Sequence, residues 1–378
     1  MKKVVSVFVC VIITVCGVYS ARAVSVDEKP TVSAEAFVLY CADNGQIIYS
    51  NNENKKMKPA STTKLMTSLI TLEQSASANK KVTFTKEMMA EGSSMYLKVG
   101  DQLTLKDLAS GMMMASGNDA ANAAALTISG NSEKFAERMN ERAKQIGMSN
   151  THFITPSGLD DENHYSTAYD MALLMSYALE NEDFANLTSQ KSATVSFIKP
   201  ESKKTTYANH NRLLSMYEYC IGGKTGYTMA AGRCLVTAAK KDGLSLVCVT
   251  LNDRNDWKDH IALYNYGFER LACYESTDSE FCIDVPCVGG KEDMVTLVGE
   301  KNISVVVDKN EKDKIKRRVC TESFLYAPIK KNDVCGRVEY TLNGKKVATV
   351  NLVAGTENNS IKENKNLWTI IKEMFTYG

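Results

Sequence analysis

The chain has 378 residues, of which 44% are hydrophobic and 24% charged, the balance of a soluble globular protein with a packed core in two or three domains. Lys and Arg number 45 against 44 acidic residues, so the bulk positive charge that holds nucleic acid is missing. Glycine (22) and proline (6) are too few for a collagen-like or low-complexity fibre, and the composition excludes a multi-span membrane protein.

Residues 1–23 predict an export signal. Lys2 and Lys3 precede an apolar run over residues 4–19, and Ala21-Arg22-Ala23 places small residues where a signal peptidase reads them. The run is short for a membrane span; an uncleaved anchor is the alternative. Cys16 raises a lipoprotein, against which stands the bulk of Val15. Without Lys2, Lys3 and Arg22, 42 basic groups face 44 acidic ones. Nine of the 11 cysteines follow the leader, an odd number that leaves at least one thiol unpaired or paired between chains. Cys282–Cys287 and Cys320–Cys335 are possible bridges. Cys234 and Cys248 stand in apolar runs, where a cysteine behaves as a small hydrophobe. No C-x-x-C occurs and histidines 152, 164, 210 and 260 are far apart, so no metal site is read.

Two β-rich runs, residues 37–41 and 46–49, flank Asp43-Asn44-Gly45 and predict a hairpin. Apolar positions 65, 66, 69, 70 and 72 predict a buried helix over 62–72. Residues 84–190, rich in Ala, Met, Glu and Lys, read as mostly helical, with Met112-Met113-Met114 as core filling. A second hairpin follows over 234–251, turning at 240–243, and a helix over 256–271. Strands at both ends with helices between predict an antiparallel sheet whose first strands pair with its last. That is an α/β (α+β) domain over 30–272. Residues 276–355 carry short β-branched runs and predict a small all-β domain. A polar linker (356–364) leads to an amphipathic helix over 365–378. In it Leu367, Trp368, Ile370, Ile371, Met374 and Phe375 fall within an arc of about 160°. Twelve helical residues span roughly 18 Å, too short to cross a bilayer but suited to lying in its interface. Packing on the protein's own surface is the alternative.

Three motifs carry chemistry: Ser61-Thr62-Thr63-Lys64 at a helix start, Ser116-Gly117-Asn118 within the helical middle, and Lys224-Thr225-Gly226 at a predicted strand start. Each alone is weak; their order and setting together are not. A serine needs an adjacent base to become a nucleophile, and Lys64 lies one turn beyond Ser61 on the same face. Lysine serves as a base only when neutral, which burial and a second cation, Lys224, promote. Ser116 can pass a proton to the leaving amine and Asn118 can hold a substrate amide. Lys224 and Thr225 offer a cation and a hydroxyl to a terminal carboxylate, with Gly226 letting the substrate backbone approach. The backbone N–H groups of Ser61 and Tyr227 would hold an oxyanion.

This triplet is a signature of penicillin-binding proteins and class A β-lactamases. With Pro59-Ala-Ser-Thr-Thr-Lys-Leu-Met-Thr, Ala115-Ser-Gly-Asn-Asp-Ala-Ala, Thr155-Pro-Ser-Gly-Leu-Asp and Gly223-Lys-Thr-Gly-Tyr-Thr, the chain resembles the D-alanyl-D-alanine carboxypeptidases, low-molecular-mass penicillin-binding proteins. Similarity covers residues 35–271, and Ala327-Pro-Ile-Lys-Lys-Asn-Asp resembles the family's second domain. The resemblance implies a penicillin-recognising fold and an exported enzyme at the outer face of the cytoplasmic membrane or cell wall. It implies trimming of the last D-alanine from peptidoglycan pentapeptide stems, inhibition by β-lactams and no cofactor. His210 stands where some relatives carry an arginine that helps bind the carboxylate; an ordinary turn histidine is the other reading. Glu182-Asp-Phe-Ala-Asn is a near miss to the deacylating glutamate motif of a class A β-lactamase, the competing enzyme reading. A catalytically weak peptidoglycan or β-lactam receptor is the competing non-enzyme reading.

Overall fold

The computed structural model describes residues 28–361. The export signal and the amphipathic segment 365–378 lie outside the described residues.

The first hairpin is β1 (Ala36–Cys41) and β2 (Ile47–Asn51), and α1 (Lys64–Ser77) follows a 3₁₀ turn at Ala60–Thr63. A two-stranded ribbon, β3 (Lys81–Thr83) and β4 (Gln102–Thr104), precedes the helices α2 (Leu105–Met114), α3 (Asn118–Ser129) and α4 (Ser132–Ile146). After α5 (Ala168–Ala178) and α6 (Glu182–Thr188) comes a second ribbon, β5 (Ser192–Ser196) and β6 (Lys204–Ala208). The short α7 (Leu213–Met216), β7 (Cys220–Thr228), β8 (Gly232–Lys241), β9 (Leu244–Leu251) and α8 (Asp256–Arg270) complete the first unit.

Its five-stranded sheet has the order β2-β1-β9-β8-β7. β1 lies antiparallel to β9, from Ala36 opposite Leu251 to Cys41 opposite Leu246, so the first strands pair with the last, as predicted. Alternation along the strands sends side chains to two cores. Val38, Val249 and Val236 join α1, α2, α3 and α5 on one face, while Phe37, Leu39 and Cys248 join Leu263 and Tyr264 of α8 on the other. Met112, Met113 and Met114 are buried in the first core. The turn between β8 and β9 is Asp242-Gly243, both at positive φ, the two-residue form that matches strand twist.

Three local predictions differ from the structure. Helix α1 runs to Ser77, five residues past the expected end. Residues 84–101 are mostly irregular, and around 94–97 the Asp119 carboxylate takes the place of helical acceptors. It accepts from Met95 N at 2.9 Å, Leu97 N at 3.1 Å and the Ser94 hydroxyl at 2.6 Å. Lys224-Thr225-Gly226 sits inside β7 rather than at its start, since the strand already includes Cys220 to Gly223.

After β10 (Leu271–Ser276) the chain builds β11 (Cys282–Val288), β12 (Met294–Gly299), β13 (Ile303–Asp308), β14 (Lys316–Thr321), β15 (Leu325–Tyr326), β16 (Val334–Leu342) and β17 (Lys345–Ala354). Six of these form a sheet in the order β14-β16-β17-β12-β11-β15, and β10 pairs with β13. Val285, Leu297, Val338, Tyr340, Val350 and Leu352 make its core. Neither proposed disulfide is present: all nine described cysteines are free. Cys282 and Cys287 lie five residues apart on one strand, about 16 Å, whereas a bridge needs Cα atoms within about 7 Å.

A buried Asp278 ties this β-domain together, accepting from Arg317 Nη2 at 2.9 Å and Nε at 3.1 Å and bonding the Tyr340 hydroxyl. Asp278→Ala strands a guanidinium and a phenol. Because Arg317 is 30% exposed, the expected cost is about 2 kcal/mol rather than the full value of a buried pair. Hydrogen exchange should show lost amide protection in β14 and β16 with β7–β9 unchanged; uniform loss across both units would refute this assignment.

Candidate active site

Ser61 stands in the 3₁₀ turn entering α1, and Lys64 is the first residue of that helix. The turn packs against β7 so closely that a Cβ on Gly226 would sit 2.9 Å from the Pro59 carbonyl and 3.1 Å from Ser61 N. Glycine at 226 therefore makes room for the serine turn itself, a demand the sequence reading had assigned to the substrate.

Lys64 is fully buried. Its Nζ meets three oxygens: Ser61 Oγ at 2.9 Å, Asn118 Oδ1 at 2.7 Å and the Ser157 carbonyl at 2.8 Å. Burial first, and the nearby Lys224 charge second, hold its pKa well below the ordinary lysine value against the opposing pull of Asp119. A neutral amine has two N–H bonds and one lone pair. Asn118 Oδ1 and the Ser157 carbonyl can only accept, so they take the two hydrogens and leave the lone pair to the Ser61 hydroxyl.

Ser116 and Lys224 form the opposite wall. Ser116 has φ 56°, a left-handed conformation that costs a non-glycine residue about 1–3 kcal/mol and clusters at functional sites. Lys224 Nζ donates to Ser116 Oγ at 3.0 Å and to the Thr225 carbonyl at 2.9 Å, and burial lowers its pKa to about 7. Ser61, Ser116, Thr225, Gly226, Tyr227 and His210 all line one cleft of about 460 Å³. Tyr227 is exposed at its rim. Burial, then Lys224, lowers the pKa of His210, which stands at the cleft mouth as a neutral ring at pH 7.

Asn118 has protein partners the sequence did not reveal: its Oδ1 faces Lys64 and its Nδ2 donates to the Glu91 carbonyl at 2.6 Å, one bond at each end of the amide. Glu182 is exposed at the start of α6 and does not line the cleft, which removes the glutamate a class A β-lactamase requires. Among the described residues no group of three or more His, Cys, Asp or Glu side chains converges as metal ligands would.

Two contributors were missed in the sequence. The Ser157 contribution is a backbone carbonyl, for which no residue type is diagnostic. His164, 2% exposed, holds that carbonyl's segment in place. Its Nδ1 accepts from Ile154 N at 3.0 Å and Thr155 N at 3.2 Å, so the proton sits on Nε2 and is donated to Thr63 Oγ1 at 2.9 Å. The segment docks where only glycine fits: a Cβ on Gly158 would lie 1.9 Å from the Ala60 carbonyl.

A family model described as D-alanyl-D-alanine carboxypeptidase matches residues 23–255. The chain belongs to that family. A second model, the C-terminal domain of penicillin-binding protein 5, matches residues 277–360. The D-alanyl-D-alanine carboxypeptidase DacF of Bacillus subtilis is 32% identical over 328 residues, covering 83% of this chain and 83% of its own. DacC of Escherichia coli is 33% identical, covering 85% of this chain and 83% of its own. The crystal structure of penicillin binding protein 5 from Haemophilus influenzae superposes with a TM-score of 0.69 at 29% identity, over 88% of this chain and 99% of that one. The Streptomyces K15 DD-transpeptidase superposes with a TM-score of 0.61 at 31% identity, over 64% of this chain and 99% of its own. The chain is thus a low-molecular-mass penicillin-binding protein with the penicillin-recognising fold, a serine-type D-Ala-D-Ala carboxypeptidase.

His164 links this site to pH. Burial lowers its pKa to about 4 from an ordinary 6.5. The unfolded chain therefore takes up the proton first. The stability His164 contributes is complete above about pH 6.5 and is lost as pH falls through about 4. Urea denaturation across this window should show a shallower loss for His164→Gln than for the native chain, and parallel curves would refute the assignment. At pH 7.5 His164→Ala should cost about 2 kcal/mol by leaving two amides and a hydroxyl unpaired.

Proposed function

We propose a division of labour for this carboxypeptidase that rests on one observation, the three-way placement of the Lys64 amine. Neutral Lys64 takes the Ser61 proton as Oγ attacks the carbonyl of the penultimate D-alanine. The oxyanion lies against the N–H groups of Ser61 and Tyr227. Ser116 delivers its proton to the leaving amine and takes one from the Lys224 ammonium bonded to it, and the C–N bond breaks to release D-alanine. Water then attacks the Ser61 ester, passing a proton through Ser116 back to Lys224, and Lys64 returns the first proton to Ser61 Oγ as the ester bond breaks. Lys224 and Thr225 receive the terminal carboxylate. Asn118, expected to hold a substrate amide, is assigned instead to orienting Lys64. A β-lactam acylates Ser61 by the same route, its ring amide opening in place of the peptide.

Incubation with benzylpenicillin should add one penicilloyl group to the peptide carrying Ser61, and Ser61→Ala should abolish the adduct. Lys64→Ala should slow acylation about 10³-fold, the size of a lost general base. A stable adduct on another serine, or a Lys64→Ala protein that acylates at the native rate, would overturn these roles.

We infer further that the enzyme is exported and works at the membrane surface, on the strength of the leader and the amphipathic segment 365–378. Among the described residues no helix is long and apolar enough to cross a membrane; the attachment proposed is interfacial, with Trp368 and Tyr377 at headgroup depth. In liposome flotation, chains ending at residue 378 should rise with the vesicles and chains ending at 364 should not. Equal behaviour of the two forms would refute the attachment.

A further inference from the structure

The cleft that exposes Ser61 continues to a corner made by Arg233, Asp256 and Trp257. Arg233 stands on β8 opposite Tyr227, two positions along from Leu235, the partner of Thr225. Two strand residues are about 7 Å, so the side chain lies within reach of both the Thr225 end and the Tyr227 end of β7.

Its guanidinium is anchored on one side only. Nε donates to Asp256 Oδ2 at 3.1 Å, and Nη2 donates to Oδ1 and Oδ2 at 2.8 Å each. Asp256 is 4% exposed while the arginine is 46% exposed. The guanidinium carbon lies 6.0 Å from the Trp257 ring centroid. Among the described residues no acceptor meets Nη1. Asp256 takes the Nε–Nη2 fork, so an oriented planar cation faces the cleft with its Nη1 N–H₂ group left to donate to a carboxylate.

The other positive groups of the cleft are weak at neutral pH. Lys64 is held well below its ordinary value, Lys224 titrates at about 7 and His210 is lowered. Arg233, paired with Asp256, keeps its charge.

We propose that Arg233, held by Asp256, is a second carboxylate-binding group of this cleft, distinct from Lys224 and Thr225. Its ligand is a peptide carboxylate, from either the C-terminal residue or a side chain of the acyl-donor segment. The proposal rests on the reading of the cleft as a peptide-hydrolysing site.

Four peptides ending in D-Ala-D-Ala decide it: free acid or C-terminal amide, each with a donor-segment side chain ending in an amine alone or in an amine plus a carboxylate. Arg233→Gln should lower kcat/KM about tenfold, through KM, on peptides bearing the recognised carboxylate. Peptides lacking it should change by less than twofold. A tenfold change is the size of one charge-assisted contact. Loss that follows the C-terminus identifies the terminal carboxylate; loss that follows the side chain identifies the other source. Arg233→Lys, which keeps the charge without the fork, should recover part of the loss. Equal loss on all four peptides, or none, overturns the proposal and leaves Arg233 as a tie between β8 and α8. Native protein that released no alanine from any peptide would overturn the hydrolytic reading instead. Competition of the same peptides against penicillin labelling would then still read the part of Arg233.

Discussion

A lysine with no access to water governs this molecule. An ammonium taken from water without a counter-charge is costly enough that the group neutralises instead, and Lys64 has oxygen partners but no carboxylate in contact. Keeping it dry takes three separate pieces of chain: the start of α3 for Asn118, the 154–158 segment for the Ser157 carbonyl, and α1 for Lys64 itself. Each is fixed by polar groups whose hydrogen bonds are internal. Asp119 holds the 94–97 backbone beside Asn118, and His164 holds 154–155 against Thr63. The low-pKa amine beside Ser61 is an outcome of packing as much as of residue type.

The second lysine follows the same logic with a different result. Lys224 is as deeply buried, yet its partners are a hydroxyl and a carbonyl, and its pKa settles near neutrality. Two amines in one dry site repel when both are charged. The favoured state has one neutral lysine beside Ser61 and one that can carry a proton beside Ser116. Environment thus gives a pair of identical side chains different protonation preferences.

Much of this was legible in the sequence, and the gaps have physical reasons. The hairpins, the pairing of first with last strands and the two-unit layout followed from periodicity and turn residues. Ser61, Lys64, Ser116 and Lys224, which the structure brings together in two contacting pairs, were readable as candidates because the proposed chemistry needs those side chains. Residues 84–101 misled because composition favoured a helix while a carboxylate from α3 took the amide hydrogens of Met95 and Leu97. The start of β7 was placed too late because its two glycines, Gly222 and Gly223, serve close approach to Thr188 and Val236, which only the assembled sheet reveals. The Ser157 carbonyl left no trace, since every residue has one. Asn118 was recognised by type, but its contact with Lys64 was not, for an amide can face a substrate or a lysine equally well.

The place of β1 carries a consequence for how the chain reaches this state. β1 is buried along its whole length between β2 and β9, so a strand near the start of the protein needs a neighbour more than 200 residues later. Until Leu251 is available, the first hairpin has an open edge and an apolar face on each side. Long-range antiparallel pairing of this kind is slow to form and leaves a strand edge exposed to other chains. The five-stranded sheet is complete only when β9 has been made, so the serine turn, both lysines and their carbonyl partner share a site only once the whole unit is present.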